Sequence, residues 1–180
     1  MGSGHHHAHG PANRGLVVLT TAAPLFLCAP APGGRGTAVI ALHGRRGITA
    51  QFERGVRAVA AHGYLVAAPY HYFRDGGPEY VTDTAASDAY ALSPGDIDTD
   101  VAAAIEHVTG RLGLRAAAVI GLESAAAAVK RAGERHPDLI AVTLPDPGAD
   151  DDTTVGWVAA ASDLGRVTAA IQRVRGEQAS

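Results

Sequence analysis

Glu123 lies in the stretch Val119–Ala126 (VIGLESAA), where an apolar run stops at Gly121 and a helix-favouring alanine tract begins. A strand that turns sharply into a helix between small residues holds its middle residue out at the carboxyl edge of a sheet, above free helix N–H groups. A carboxylate in that place can donate or accept a proton. Burial favours the neutral acid and neighbouring cations favour the carboxylate, so the surroundings decide the direction. The plainer reading is a glutamate in the first turn of a helix, stabilised by about 0.3–1 kcal/mol through the helix dipole.

Other groups stand where chemistry is feasible. His43 ends the apolar run Thr37–Leu42, where it could shuttle a proton, line a pocket or simply pack. His71, Tyr72 and Arg74 belong to the sequence YHYFR (70–74), which opens a segment running to about Pro94 without regular periodicity. A long irregular segment inside a compact domain reads as a lid, and this start supplies aromatic surface and a cation. An aromatic packed under a loop and a solvated arginine are the plainer alternatives. Asp163 follows Ser162 at the end of an apolar run and precedes Leu164, a helix N-cap position. The acidic run Asp150–Asp152 reads as solvated surface, because successive loop residues rarely face one point and no second ligand cluster is evident. No metal and no cofactor are therefore expected. The lone Cys28 cannot form an internal disulfide and reads as a packed thiol.

The elements that must position these groups alternate. Leu16–Thr20 and Pro24–Cys28 read as an N-terminal hairpin, and Thr37–His43 as a buried strand. A helix over about 50–62 ends at Gly63, and Tyr64–Pro69 is the next strand. Ser93-Pro94 opens a periodic helix to about Leu112, with Ile97, Val101, Ala104, Ile105 and Val108 at core spacing. Ala116–Ile120 leads to Glu123, Ser124–Arg135 is the helix behind it, and Leu139–Leu144 is a further strand. Val155–Ala161 reads as a last strand and Leu164–Val174 as a last helix. Strands alternating with helices imply an α/β class domain, a mostly parallel sheet with helices on both faces. Ligands bind outside the carboxyl ends of the strands in such a sheet.

Composition narrows the partners. Met1–Gly10 (MGSGHHHAHG) reads as an expression tag, leaving one domain over residues 11–180. A formal net charge of −3 without a basic cluster excludes nucleic acid as the main partner. No apolar run is long enough to span a membrane and no secretory signal follows the tag, so a cytoplasmic, soluble protein with a small-molecule substrate is expected.

Several motifs taken in order resemble the dienelactone hydrolase family over roughly residues 25–145. They are His43-Gly44-x-x-Gly47, the run His62-Gly63-Tyr64-Leu65-Val66-Ala67-Ala68-Pro69, and Tyr72-Phe73-Arg74. Leu92-Ser93-Pro94-Gly95-Asp96 with Asp100, and the Gly121 elbow, complete the series. The resemblance implies an α/β-hydrolase fold acting on a small ester or lactone, with a cysteine or serine nucleophile, a strand-end aspartate and a late histidine. It also implies Arg74 as the ligand of a substrate carboxylate, whose two oxygens suit a guanidinium fork. Backbone N–H groups of Arg45 and Ser124 become the oxyanion donors, and Asp163 loosely matches the acid.

Departures from the family are concentrated at the chemistry. The nucleophile position falls on Glu123, because Gly121 and Ala125 are the small residues on either side of it. Ser124 fits that position less well, since Leu122 would be its small neighbour. No histidine follows His136, and the final strand and helix that carry one in the family are missing.

The expectation is a reduced α/β-hydrolase domain doing non-hydrolytic acid/base chemistry: isomerisation, dehydration or cyclisation of a biosynthetic intermediate. Glu123 and His43 are its catalytic candidates, and Arg74, Tyr72 and His71 its substrate contacts. The Arg45 and Ser124 amides would stabilise an enolate-like oxygen. Two alternatives stay open. One is a hydrolase using Glu123-activated water or Ser124 with His43. The other is a non-catalytic protein binding a ligand or partner, which predicts a shallow or filled cleft and a solvated or salt-bridged Glu123. An uncovered sheet edge would allow a homodimer.

Overall fold

The computed structural model describes residues 15–17, 22–30, 32–75, 93–146 and 154–178. The tag, most of the expected lid and the run Asp150–Asp152 lie outside these residues, as does the Arg74 side chain. Six strands form one sheet: β1 (Gly15–Val17), β2 (Leu25–Cys28), β3 (Thr37–Leu42), β4 (Leu65–Pro69), β5 (Arg115–Leu122) and β6 (Ile140–Leu144). Their spatial order is β1-β2-β4-β3-β5-β6. The first two pairings are antiparallel, with Leu16 opposite Phe26 and Phe26 opposite Ala68. The pairs β4–β3, β3–β5 and β5–β6 are parallel, so the sheet is mostly parallel and the N-terminal hairpin forms as expected.

Both faces of the sheet are buried, and this is why β3 and β5 read as continuous apolar runs rather than alternating ones. On one face Val39, Ala41, Val66 and Ile120 pack with Phe52, Val56 and Val59 of α1 (Ala50–Ala61). On the other, Ile40, Leu42, Ala67 and Val119 meet Val101 and Ala104 of α2 (Pro94–Glu106) and Val129 and Ala132 of α3 (Ala126–Arg135). Helix boundaries follow local chemistry. Thr49 caps α1, its hydroxyl accepting the Phe52 N–H at 3.0 Å, and Gly63 takes φ +91° where the helix must stop. Ser93 caps α2, with Pro94 placed where its missing N–H costs nothing. Asp98 of α2 holds both Arg131 and Arg135 of α3, fixing the two helices side by side.

The end of the chain corrects the sequence reading. Val155–Ala161 is not a strand: a single helix, α4 (Thr154–Gln178), replaces the expected strand and helix. Trp157, Ala160, Ala161 and Leu164 recur at helical spacing and are all buried, forming the stripe that docks α4 beside α1. Trp157 stands edge-on to Phe52, ring centroids 5.6 Å apart, over Gly55. A Cβ on Gly55 would lie 2.4 Å from the indole, so only glycine admits the ring. Ser162, which looked like the boundary, returns its hydroxyl to the Val158 carbonyl at 2.9 Å and so stays inside the helix. No helix among the described residues is long and apolar enough to cross a membrane.

Candidate functional site

β5 enters the elbow through Gly121, whose missing side chain lets strand and helix meet. A Cβ there would come 2.5 Å from Val129 Cγ2 and 3.3 Å from Leu42 Cβ. Residues Glu123–Ala125 make a 3-10 turn before α3 starts, which brings Glu123 out at the carboxyl end of the strand. Its side chain is exposed and no partner is found for it among the described residues. The residue after it, Ser124, faces the turn after β3 that contains Gly44 and Arg45. A strand-to-helix elbow whose following residue meets the loop after the preceding sheet strand is the arrangement around an α/β-hydrolase nucleophile. The elbow shares that local geometry.

The two amides expected to receive a substrate oxygen are already engaged. Ser124 N–H donates to Asp146 Oδ2 at 3.0 Å, and Ser124 Oγ–H donates to Asp146 Oδ1 at 3.0 Å. Arg45 N–H donates to Ser124 Oγ at 3.2 Å. Gly44 makes room for this cluster, because a Cβ there would lie 2.6 Å from Ser124 Oγ and 3.0 Å from Asp146 Oδ1. The cleft beside it holds about 240 Å³ and is lined by Arg45, Arg46, Thr49, Gln51, Leu122 and Ser124, among others. Glu123 is not among its lining residues.

The histidines sit under this cleft rather than in it. His43 is 4% exposed, and its Nδ1–H donates to the Gly44 carbonyl at 2.9 Å. Nε2 accepts the His71 backbone N–H at 3.2 Å, which assigns the Nδ1–H tautomer and leaves neither nitrogen for a substrate. Burial, reinforced by the neighbouring His71, lowers the His43 pKa to about 3, so the ring is neutral. His71 is equally buried, and its Nδ1–H donates to Asp100 Oδ2 at 3.0 Å. Asp100 Oδ1 accepts the Ala23 N–H at 2.9 Å, so this carboxylate joins the loop before β2, α2 and the turn after β4. Tyr72 is buried and its hydroxyl donates to the Arg45 carbonyl at 2.5 Å. Thus His43, His71 and Tyr72 come together as the support of the Gly44–Arg45 turn.

Asp163 is placed elsewhere. It lies in α4, exposed and ion-paired to Arg166, so its expected position at the end of a last strand is corrected with that strand. Asp146, not Asp163, is the carboxylate that meets the elbow. The sequence places it, with Pro145, among the strand-end residues where a ligand could bind, but assigns it no role or partner. Asp100 carried a motif match but no role, because nothing in the sequence pairs it with residue 71. Among the described residues no three His, Cys, Asp or Glu side chains converge to hold a metal ion.

No protein-family model and no curated protein matches the chain. Among solved structures it is similar to a cold-adapted esterase from an Arctic intertidal metagenomic library, solved with polyethylene glycol bound. That likeness has 18% identity and a TM-score of 0.49, and it covers 73% of this chain and 58% of the esterase. The chain therefore spans less than two thirds of that protein's length. It is also similar to a protein named as a dienelactone hydrolase from Klebsiella pneumoniae, with 18% identity, a TM-score of 0.46, and coverage of 79% of this chain and 92% of that one. Both TM-scores fall below 0.5.

Proposed function

We propose that this chain binds a small organic molecule at the carboxyl edge of its sheet, on a hydrolase-like scaffold, without serine- or cysteine-dependent hydrolysis. The observation that carries this reading is the closure of the oxyanion position by the chain itself. The Arg45 amide is spent on Ser124 Oγ, and the Ser124 amide is spent on Asp146. A transition-state oxygen needs such donors preorganised and unoccupied, and losing one of them costs about a hundredfold or more in rate. His43 offers no base either, since both of its nitrogens are bonded. The exposed Glu123 fits the same reading.

A second reading keeps catalysis, as isomerisation, dehydration or cyclisation of a biosynthetic intermediate with Glu123 as acid/base. It is favoured by the Glu123 carboxylate, which the elbow presents without a hydrogen bond or ion pair among the described residues. Activated aryl esters and lactones separate these readings from hydrolysis. The expected result is turnover no faster than the buffer reaction, and turnover abolished by Ser124→Ala would establish hydrolysis instead. Should a substrate be identified, loss of its conversion in Glu123→Gln would favour acid/base chemistry over binding alone. Assembly as a homodimer along the β6 edge is part of this proposal.

A further inference from the structure

We infer that Asp146 is a resident stand-in for a ligand carboxylate, so that small organic carboxylates enter the cleft in competition with the protein's own side chain. This rests on the ligand-binding reading above and names the ligand class.

Three observations converge on it. The first is the form of the grip. One residue, Ser124, offers two donors to the two oxygens of a single carboxylate, at 3.0 Å each. Arg45 N–H supplies the hydroxyl oxygen with its own donor, which leaves the hydroxyl proton directed at the carboxylate. That geometry is selective for a planar pair of oxygens rather than for aspartate as such. Second, the Gly44 backbone passes close to the pair: a Cβ there would lie 2.6 Å from Ser124 Oγ and 3.0 Å from Asp146 Oδ1, so only glycine leaves room for a carboxylate against the Ser124 donors. Third, the adjoining cleft of about 240 Å³ carries Arg45 and Arg46 in its wall, and among the described residues Asp146 is its one acidic lining residue. Such a volume lies below the usual range for drug-sized ligands and suits an acid of about the size of benzoate.

The resident carboxylate can be displaced. Asp146 is exposed at the end of a strand, and its two bonds to Ser124 are exposed as well, so water competes for both and each holds the side chain only weakly. A tethered group competes at an effective concentration in the millimolar range, which masks the site from weak ligands without abolishing it.

The test titrates sodium benzoate into the full-length ¹⁵N-labelled protein at constant ionic strength, following amide resonances, with benzamide as the neutral control. Asp146→Ala is expected to bind benzoate about tenfold more tightly than the wild type or better, with Ser124 and Arg45 amides among the largest shifts. Asp146→Asn keeps one acceptor oxygen for Ser124 and is expected to fall between the two. It also serves as the test variant if Asp146→Ala melts early by circular dichroism. Equal benzoate affinity in the wild type and both variants overturns the inference, and so does an equal gain for benzamide. Either result, with esters left unhydrolysed, removes the role of Asp146 while the binding reading stands. Ser124-dependent ester turnover by the wild type would instead remove the binding reading itself.

Discussion

His43 shows what a single side chain does when its protons are already assigned. Its folded pKa of about 3 lies below the ordinary value of 6.5, so the unfolded chain takes up a proton that the folded one refuses. The unfolded state then binds more protons, and stability must rise with pH between about 3 and 6.5. The contribution is complete above 6.5 and is lost progressively as pH falls toward 3, reaching as much as roughly 4–5 kcal/mol. Urea unfolding of wild type and His43→Asn from pH 7 to pH 4 checks this. The variant keeps a donor near the Gly44 carbonyl and is expected to show a flatter pH dependence. Unchanged slopes would place the titration elsewhere. The sequence located His43 at a strand end but could not reveal its second partner, the amide of residue 71. The same holds for Ser124 and Asp146. Both bonds are made by chain segments far apart in sequence, and no local pattern records them.

At the scale of elements, the strand-to-helix turn at Gly121 was legible because apolar runs, small residues and alanine tracts are local signals. α4 is disguised in the sequence for a local reason too. Val155–Ala161 is short and apolar, as a buried strand is, and Ser162-Asp163 imitates a helix cap. The longer stripe from Trp157 to Leu164 was the decisive signal, and it becomes visible only when the window crosses that false boundary. Two changes probe the docking of this helix. Trp157→Ala removes a ring buried against Phe52 and is expected to cost about 3–5 kcal/mol. Gly55→Ala inserts a methyl group where the indole lies and is expected to cost about 1–3 kcal/mol. Denaturant midpoints followed by circular dichroism measure both. Midpoints within error of the wild type would mean that α4 is not held by this contact.

At the scale of the whole molecule, the two hydrophobic layers explain why class and sheet type were readable from pattern alone, whereas the strand order, with β4 between β2 and β3, was not. Edges matter most here. Among the described residues β6 pairs only with β5, and its residues Ile140, Ala141, Val142, Thr143 and Leu144 include no charge or proline to discourage a further strand. A second copy pairing along β6 is expected to give a concentration-dependent dimer in sedimentation. Thr143→Lys, at an exposed position, is expected to shift it toward monomer. Identical sedimentation of the two proteins would dismiss that edge as the contact.

The site of Asp146 gives this edge a further meaning. The residue stands two positions beyond Leu144, the last residue of β6 paired to β5 at Leu122. The β5–β6 register therefore sets where Asp146 stands relative to Ser124. Sliding β6 by one residue moves its end by about 3.3 Å, more than the slack in either bond to Ser124.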